Sequence, residues 1–437
     1  MTEAGEMYAR IQRLYPICRS ITGDGVRETL RLIAQEIDLQ IREVPTGTPV
    51  FDWTIPREWN IRDAYIKDPD GRRVVDFHAS NLHVVNYSVP VRARMTLAEL
   101  RPHLFSLPDQ PDLIPYKTSY YAETWGFCLP HRALLALADE VYDVCIDSTL
   151  ADGHLTYGEC VLPGRETAEV LISAHVCHPS LCNDNLSGIS LAVTLARLLR
   201  DTPRRYTYRF LFAPGTIGAI TWLAQNEPGA SRIAHGLVLA CAGDRGKPSY
   251  KKSRRAEAEI DRAVAHVLRH HSPESRIEDF SPYGYDERQF CSPGFDLPVG
   301  VFSRTPHGRF PEYHTSADDL DLVDSAALAD SLATLLTIVE VLEGNGVFRN
   351  LNAKCEPQLG RRGLYATLGG HTGDRRGQEE ALLWVLNLSD GRHSLLDIAE
   401  RSGQPFNVIR GAAAALAAHG LLEEQSRPPI AGSSSRT

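Results

Sequence analysis

The stretch from Leu171 to Gly188 brings His175, His178, Asn183, Asp184 and Asn185 together at the end of an apolar run and just before an amphipathic segment. Imidazole nitrogens and carboxylate oxygens are the usual donors for a borderline divalent metal, so His178 and Asp184 can share one ion or flank two. The alternative is structural: Asp184 and Ser187 are favoured helix-capping types, with His178 an ordinary loop residue. Several ligand types at one strand end favour the metal reading. Two later segments add matching groups. Tyr283 to Phe290 carries Asp286, Glu287 and Arg288 in a row, and Pro311 to Leu320 carries Glu312, His314 and Asp318. Each alone is weak, since Glu287 and Arg288 can form a surface pair and Thr315 and Ser316 can merely shape a turn. Together they look like one site assembled from the loops of a single sheet.

The elements that would position these residues are legible in the pattern. From about Tyr142 the chain alternates strand candidates with amphipathic helices. The strand candidates are YDVCI, LTYGECVL, EVLISAH, YTYRFLFA, GLVLACAG and LPVGVFS. The helices are Ser187 to Leu199, Ile217 to Gln225, Ile260 to His270 and Ser325 to Leu342. Such alternation predicts a layered α/β domain with a largely parallel sheet, in which functional groups gather at the carboxyl ends of strands. The first forty residues read as two helices around the turn SITGDGV. From about Pro45 to Gln110 the texture is β-rich, with strands expected at Arg73 to Phe77 and Leu82 to Tyr87. After a glycine- and arginine-rich stretch near Gly360 to Gly377, three short helices at about 379–388, 395–401 and 405–416 resemble a winged helix.

Composition narrows the function classes. Of 437 residues, 43% are hydrophobic and 23% charged, enough apolar material for more than one core. With 46 basic residues against 55 acidic the net charge is −9, which gives no general attraction to phosphate backbones or anionic membranes. The helical C-terminal piece repeats the bias: Glu379, Glu380, Asp390, Asp397, Glu400, Glu423 and Glu424 face only Arg392, Arg401 and Arg410. Contact with protein, or simple capping of the fold, is therefore expected there rather than nucleic-acid binding. No run reaches the ~20 uncharged apolar residues of a membrane span, because Asp330 and Glu340 interrupt the best candidate. The start MTEAGEMYARIQ lacks the apolar core of a signal peptide. Nine cysteines without a CxxC pair fit a reducing compartment, so the cytoplasm is expected. Cys177 and Cys182 invite a zinc-knuckle reading, but no second ligand pair is spaced for it.

With these residues in view, the chain resembles a family of aminopeptidase-like proteins related to the zinc-dependent exopeptidases and, more distantly, to the glutaminyl cyclases. The matching strings are YPICRSITGDGVRETL, VPTGTPVFDWTIPREWNIRDAYI, PYKTSYYAETWGFCLPH, AHVCHPSLCNDNLSG, GYDERQFCSPGFDLPVG and SRTPHGRFPEYHTSADDLD. They run from the N-terminal helix to about Asp321, and the C-terminal piece fits the same family. The resemblance implies a three-layer α/β/α domain with a mixed, largely parallel sheet, formed by 1–44 and 111–348. It further implies an inserted small β-rich domain over 45–110 and a winged helix over 349–425, before a tail at 426–437 that composition reads as disordered.

For the site, the resemblance implies one or two zinc ions on His178, Asp184 and His314, with Asp184 as the bridging carboxylate and His175 ranked below His178. Asp286 sits where related exopeptidases keep an aspartate in the catalytic hydrogen-bond network, and with Glu287 it is expected to orient the water or move its proton. Arg288, Glu312 and Tyr121 are expected to bind substrate, a small peptide or aminoacyl amide, with Tyr120 and Trp125 walling the pocket or joining the core. One departure stands out. Related sequences read proline, glutamate, threonine after the YTYRF strand, whereas this chain reads Pro214-Gly215-Thr216. In the peptidases that glutamate is either the general base, whose loss removes roughly 10²–10⁴ in rate, or a metal ligand, whose loss opens a coordination position or weakens the metal. The expected function is thus a metal-dependent amide hydrolase of aminopeptidase type, impaired at Gly215. The alternatives are a non-catalytic peptide- or aminoacyl-binding protein, or an amide-processing enzyme in specialised-metabolite or polysaccharide biosynthesis. A homo-oligomer, or a protein partner held by the C-terminal domain, is the expected association.

Overall fold

All seven residues of the strand Glu169–His175 are buried, as an apolar run with parallel neighbours on both sides should be. This strand is the pivot of an eight-stranded sheet in a computed structural model that describes residues 2–365 and 373–425. The sheet order is 40–45, 154–162, 207–213, 169–175, 233–239, 299–303, 249–251 and 276–278. Strands 207–213, 169–175, 233–239 and 299–303 run parallel, and antiparallel pairs lie toward both edges. After 169–175 the chain crosses by the helix Gly188–Arg200 to one neighbour, then by the helix Ile217–Ala230 to the neighbour on the other side. Reversal of strand order at 169–175 opens a crevice at its carboxyl end, the place where α/β sheets bind ligands.

Helices cover both faces. A Cβ built on Gly158 would meet Leu30 and Leu39, whereas the next residue, Glu159, accepts from the Trp222 indole. Adjacent residues of one strand point to opposite faces, so the helix Asp24–Ile33 and the helix Ile217–Ala230 lie on opposite sides of the sheet. This is the three-layer arrangement.

The β-rich unit takes a different boundary from the expected 45–110. Its antiparallel sheet runs 73–76, 58–67, 141–151 and 91–96, so the strand YDVCI belongs here and not to the large sheet. Val141–Ala151 is long enough to pair with both Glu58–Lys67 and Val91–Thr96. Glu58–Lys67 escaped sequence reading because a register shift between Ile61 and Asp63 breaks its alternation. Leu82 to Tyr87 forms no strand. Ser80 caps a short 3₁₀ turn at Asn81–His83, and the Asn86 side chain is bound to Ser20 and to the Arg19 carbonyl.

Contacts group the chain into two compact units, Met1–Ala256 with Arg276–Leu332, and Glu257–Ser275 with Ala333–Thr437. The second unit takes in the expected winged-helix residues 349–425 together with further segments. It includes the helix Glu259–His271, whose Arg262 pairs with Asp397 and Glu400 and whose Glu259 accepts from Asn345. The helices Gly373–Leu388, Leu395–Ser402 and Phe406–Ala418 and a three-stranded sheet (390–394, 347–350, 422–424) complete it as a winged helix. The tail 426–437 and part of the glycine-rich stretch lie outside the described residues.

Candidate metal centre

Asp184 is fully buried in the turn Cys182–Ser187, and three imidazoles converge on its carboxylate. His175 Nε2 lies 2.7 Å from Oδ1, His314 Nε2 lies 2.9 Å from Oδ2, and His178 Nδ1 lies 3.6 Å from Oδ2. One ligand atom each from His175, His178 and Asp184 fall within 4.8 Å of one another. His178 Nδ1 is buried without a hydrogen-bond partner, a state that ordinarily destabilises a fold and that a cation in the cluster would relieve. Nitrogen and oxygen donors in this number fit zinc. The expected ligands are thus brought together, and His175, ranked below His178 from sequence, makes the shortest contact with Asp184.

Each member is held by its element. His175 ends the central strand. Asp318 fixes the Asp184 turn by accepting the amide hydrogens of Asn183 (2.5 Å) and Asp184 (3.0 Å) on its carboxylate and that of Cys182 on its carbonyl. His314 has a left-handed φ of 56°, and the backbone around it is paired to another segment. The Tyr116 amide donates to the His314 carbonyl, and Ser316 exchanges hydrogen bonds with Ile114. Around the cluster, the Tyr116 ring stands edge-on to both His178 and His314, Tyr313 stacks on His314 at 3.9 Å, and Tyr285 stacks on His175 at 5.6 Å.

The electrostatics follow from burial and pairing. Burial alone would raise the Asp184 carboxyl, but His178 and His175 and the hydrogen bonds from His175 and His314 hold it well below the usual carboxylate range. Burial pushes His178 down to about 3, against the pull of Asp184, which keeps its imidazole in the neutral, ligating form. Asp318 is pushed up to about 8 by burial and by the nearby Asp184 charge.

The expected catalytic and substrate residues divide. Asp286 is buried and accepts the Thr216 amide hydrogen at 2.6 Å. Burial raises its carboxyl to about 6, opposed by the charge of His175. Glu287 does not join the cluster: it is buried in an ion pair with Lys251 at 2.5 Å, and a carboxylate so placed needs its cation. Arg288 Nη2 lies 3.3 Å from Thr216 Oγ1, and its Nε is buried without a partner. Glu312 acts through its carbonyl, which accepts from Thr315, and no contact brings its carboxylate to the cluster. Tyr121 is 53% exposed, its ring 5.4 Å from that of Trp53. Trp125 stacks on His103 at 3.6 Å, away from the wall formed by Tyr116 and Tyr120, whose hydroxyls are 2.7 Å apart.

Gly215 stands at the site. A Cβ there would lie 3.3 Å from Cys177 Sγ and 3.7 Å from His175 Cβ, so a side chain at 215 would enter the crevice beside the cluster. Thr216 follows in an unusual conformation, φ 65° and ψ −72°, with the Ile217 amide bonded to the Gly215 carbonyl. This γ-turn is rare and strained, and Asp286 pins it.

Sequence reading missed Tyr116, Tyr285, Tyr313 and Arg19. Arg19 gives no local signal, since it contacts the site only through folding. Fully buried, it donates from Nε to the His178 carbonyl (2.9 Å) and from Nη1 to the Leu14 carbonyl (2.7 Å), and burial lowers its guanidinium to about 10. Arg19→Met should weaken metal binding by about 10–100-fold, the usual effect of removing a group that orients a ligand, as measured by competition with a chromophoric chelator.

An α/β sheet with a histidine–aspartate cluster at its switch point defines an aminopeptidase-like protein, and comparison with known proteins agrees. The chain belongs to the family described as a domain of unknown function, DUF4910, which matches residues 8–345, and a winged helix-turn-helix family matches 346–424. A curated protein of Clostridium acetobutylicum is 52% identical over 412 residues, 94% of each chain, and carries the provisional name of polysaccharide biosynthesis protein with aminopeptidase-like domain. A crystal structure of a provisionally named peptidase from Clostridium acetobutylicum has a TM-score of 0.92 at 50% identity, covering 97% of this chain and 96% of that one. A zinc aminopeptidase from Bacillus subtilis shares the fold, with a TM-score of 0.57 at 14% identity over 78% of this chain and 94% of that one.

Proposed function

We propose that the protein is a metal-dependent amide hydrolase of aminopeptidase type. The observation that carries this reading is the convergence of His175, His178 and His314 on the buried carboxylate of Asp184. A zinc ion held by these four residues would polarise a scissile carbonyl and acidify a bound water. Asp286 is the ionisable group next to the cluster that can take a proton from the attacking water, because its raised pKa matches a general base working near neutrality. The unpartnered Arg288 Nε offers a donor to a substrate carbonyl or carboxylate. Asp286 supplies negative charge for a substrate ammonium, which selects for a free amino group.

Protein purified without chelator should contain stoichiometric transition metal and cleave aminoacyl arylamides. The rate should fall below about pH 6 as Asp286 takes up its proton, and Asp286→Asn should remove that limb. Metal occupancy without turnover, even with excess zinc, would instead identify a binding protein.

A second reading is supported by the solvent-exposed faces of Trp53 and Tyr121 and by the name of the Clostridium acetobutylicum relative. It is an amide-processing step on a precursor of a polysaccharide. Paired aromatic rings accept the apolar face of a sugar as readily as an amino-acid side chain. Turnover of N-acylated amino sugars in the same assay, with aminoacyl arylamides left intact, would favour it.

A further inference from the structure

The helix Glu259–His271 carries His266 and His270 one turn apart, a spacing that puts both side chains on the same face. Their ring centroids are 4.6 Å from each other. His266 is 3% exposed, and its Nε2 is buried with no hydrogen-bond partner. Both rings line a cavity of about 180 Å³, together with His271, Glu340, Thr337 and Asn407. Among the described residues, no side chain hydrogen-bonds His266 Nε2. An imidazole nitrogen left dry in this way loses the full value of its solvation, and no hydrogen bond to the neighbouring His270 ring makes up for it.

From this geometry we infer a second metal site, in which His266 and His270 chelate a borderline transition-metal dication such as zinc, nickel or copper. Two imidazoles four residues apart on a helix form a natural bidentate clamp for these ions. The two imidazoles would be the ion's protein ligands, and the exposed His270 side leaves its remaining positions to solvent. His270 is on the solvent side of the pair, which supplies the entry path a metal needs. Both rings are held neutral by burial, His266 down to about 4, so no proton has to leave before an ion binds near pH 7. The site is built from residues of the second compact unit and is independent of the histidine–aspartate cluster of the first.

The test uses the full chain, stripped of metal and titrated calorimetrically with zinc and, separately, with nickel. Wild-type protein should bind one more equivalent than the His178→Ala/His314→Ala variant loses. That variant should retain one equivalent, and His270→Ala should lose that equivalent or bind it at least about tenfold more weakly while keeping metal in the first cluster. His266→Gln should behave like His270→Ala. If burial of His266 makes that variant unstable, the solvent-side His270→Ala decides alone. A His270→Ala protein with the stoichiometry and affinities of wild type would overturn the proposal, as would a His178→Ala/His314→Ala protein that binds no metal at all.

Discussion

The His178→Ala/His314→Ala protein should come off a chelator-free purification without metal in the first cluster and with hydrolysis lost. Asp184 is fully buried, and the side chains that converge on its carboxylate are the imidazoles of His175, His178 and His314. Removing two of three nitrogen donors leaves His175 and Asp184, one histidine and one carboxylate, fewer than the three protein ligands of a catalytic zinc site. Polarisation of a carbonyl by the metal contributes several kcal/mol, so with 1.36 kcal/mol per factor of ten the rate should drop by about 10³ or more. Elemental analysis and turnover are the two measurements. Full occupancy of the first cluster in this double variant would refute the ligand set.

A gain is expected at Gly215. Gly215→Glu should raise hydrolysis by about 10²–10⁴-fold, the worth of a well-placed general base. The position is right: a Cβ there would lie 3.7 Å from His175 Cβ, beside the cluster. The obstacle is equally visible, because that Cβ comes within 3.3 Å of Cys177 Sγ, which also accepts the Gly215 amide hydrogen at 3.2 Å. The glutamate therefore works best with a smaller neighbour, and Gly215→Glu combined with Cys177→Ala should exceed the single substitution in kcat. An unchanged rate in both, with metal bound, would mean that Asp286 already carries the proton transfer and that position 215 is not the lesion.

The parts of this molecule that could be read beforehand are those in which chemistry and periodicity coincide. Strand Glu169–His175 is legible in the string EVLISAH, whose apolar Val170, Leu171, Ile172 and Ala174 lead to a terminal histidine, and the structure begins and ends it at those residues. Asp184 and His314 were legible because imidazole and carboxylate types crowd around them. Glu287 was misassigned for a reason sequence cannot display: its partner Lys251 is 36 positions away, on a strand that pairs antiparallel with Val299–Ser303. Arg19 and Tyr116 were invisible for the same kind of reason. One touches the site through a backbone carbonyl and the other through a ring edge, contacts that leave no trace in spacing. The β-rich unit was misjudged at its end because one strand, Val141–Ala151, pairs with two earlier ones across a long gap.

The backbone pairing between Ile114–Tyr116 and His314–Ser316 has an engineering corollary. Anyone trimming this chain toward a minimal α/β domain would cut just after the β-rich region and discard the ribbon that holds His314 in a backbone conformation it would not choose alone. The β-rich decoration and the histidine–aspartate cluster are stitched by the same few amides, so the α/β half cannot be expected to keep the cluster intact once separated.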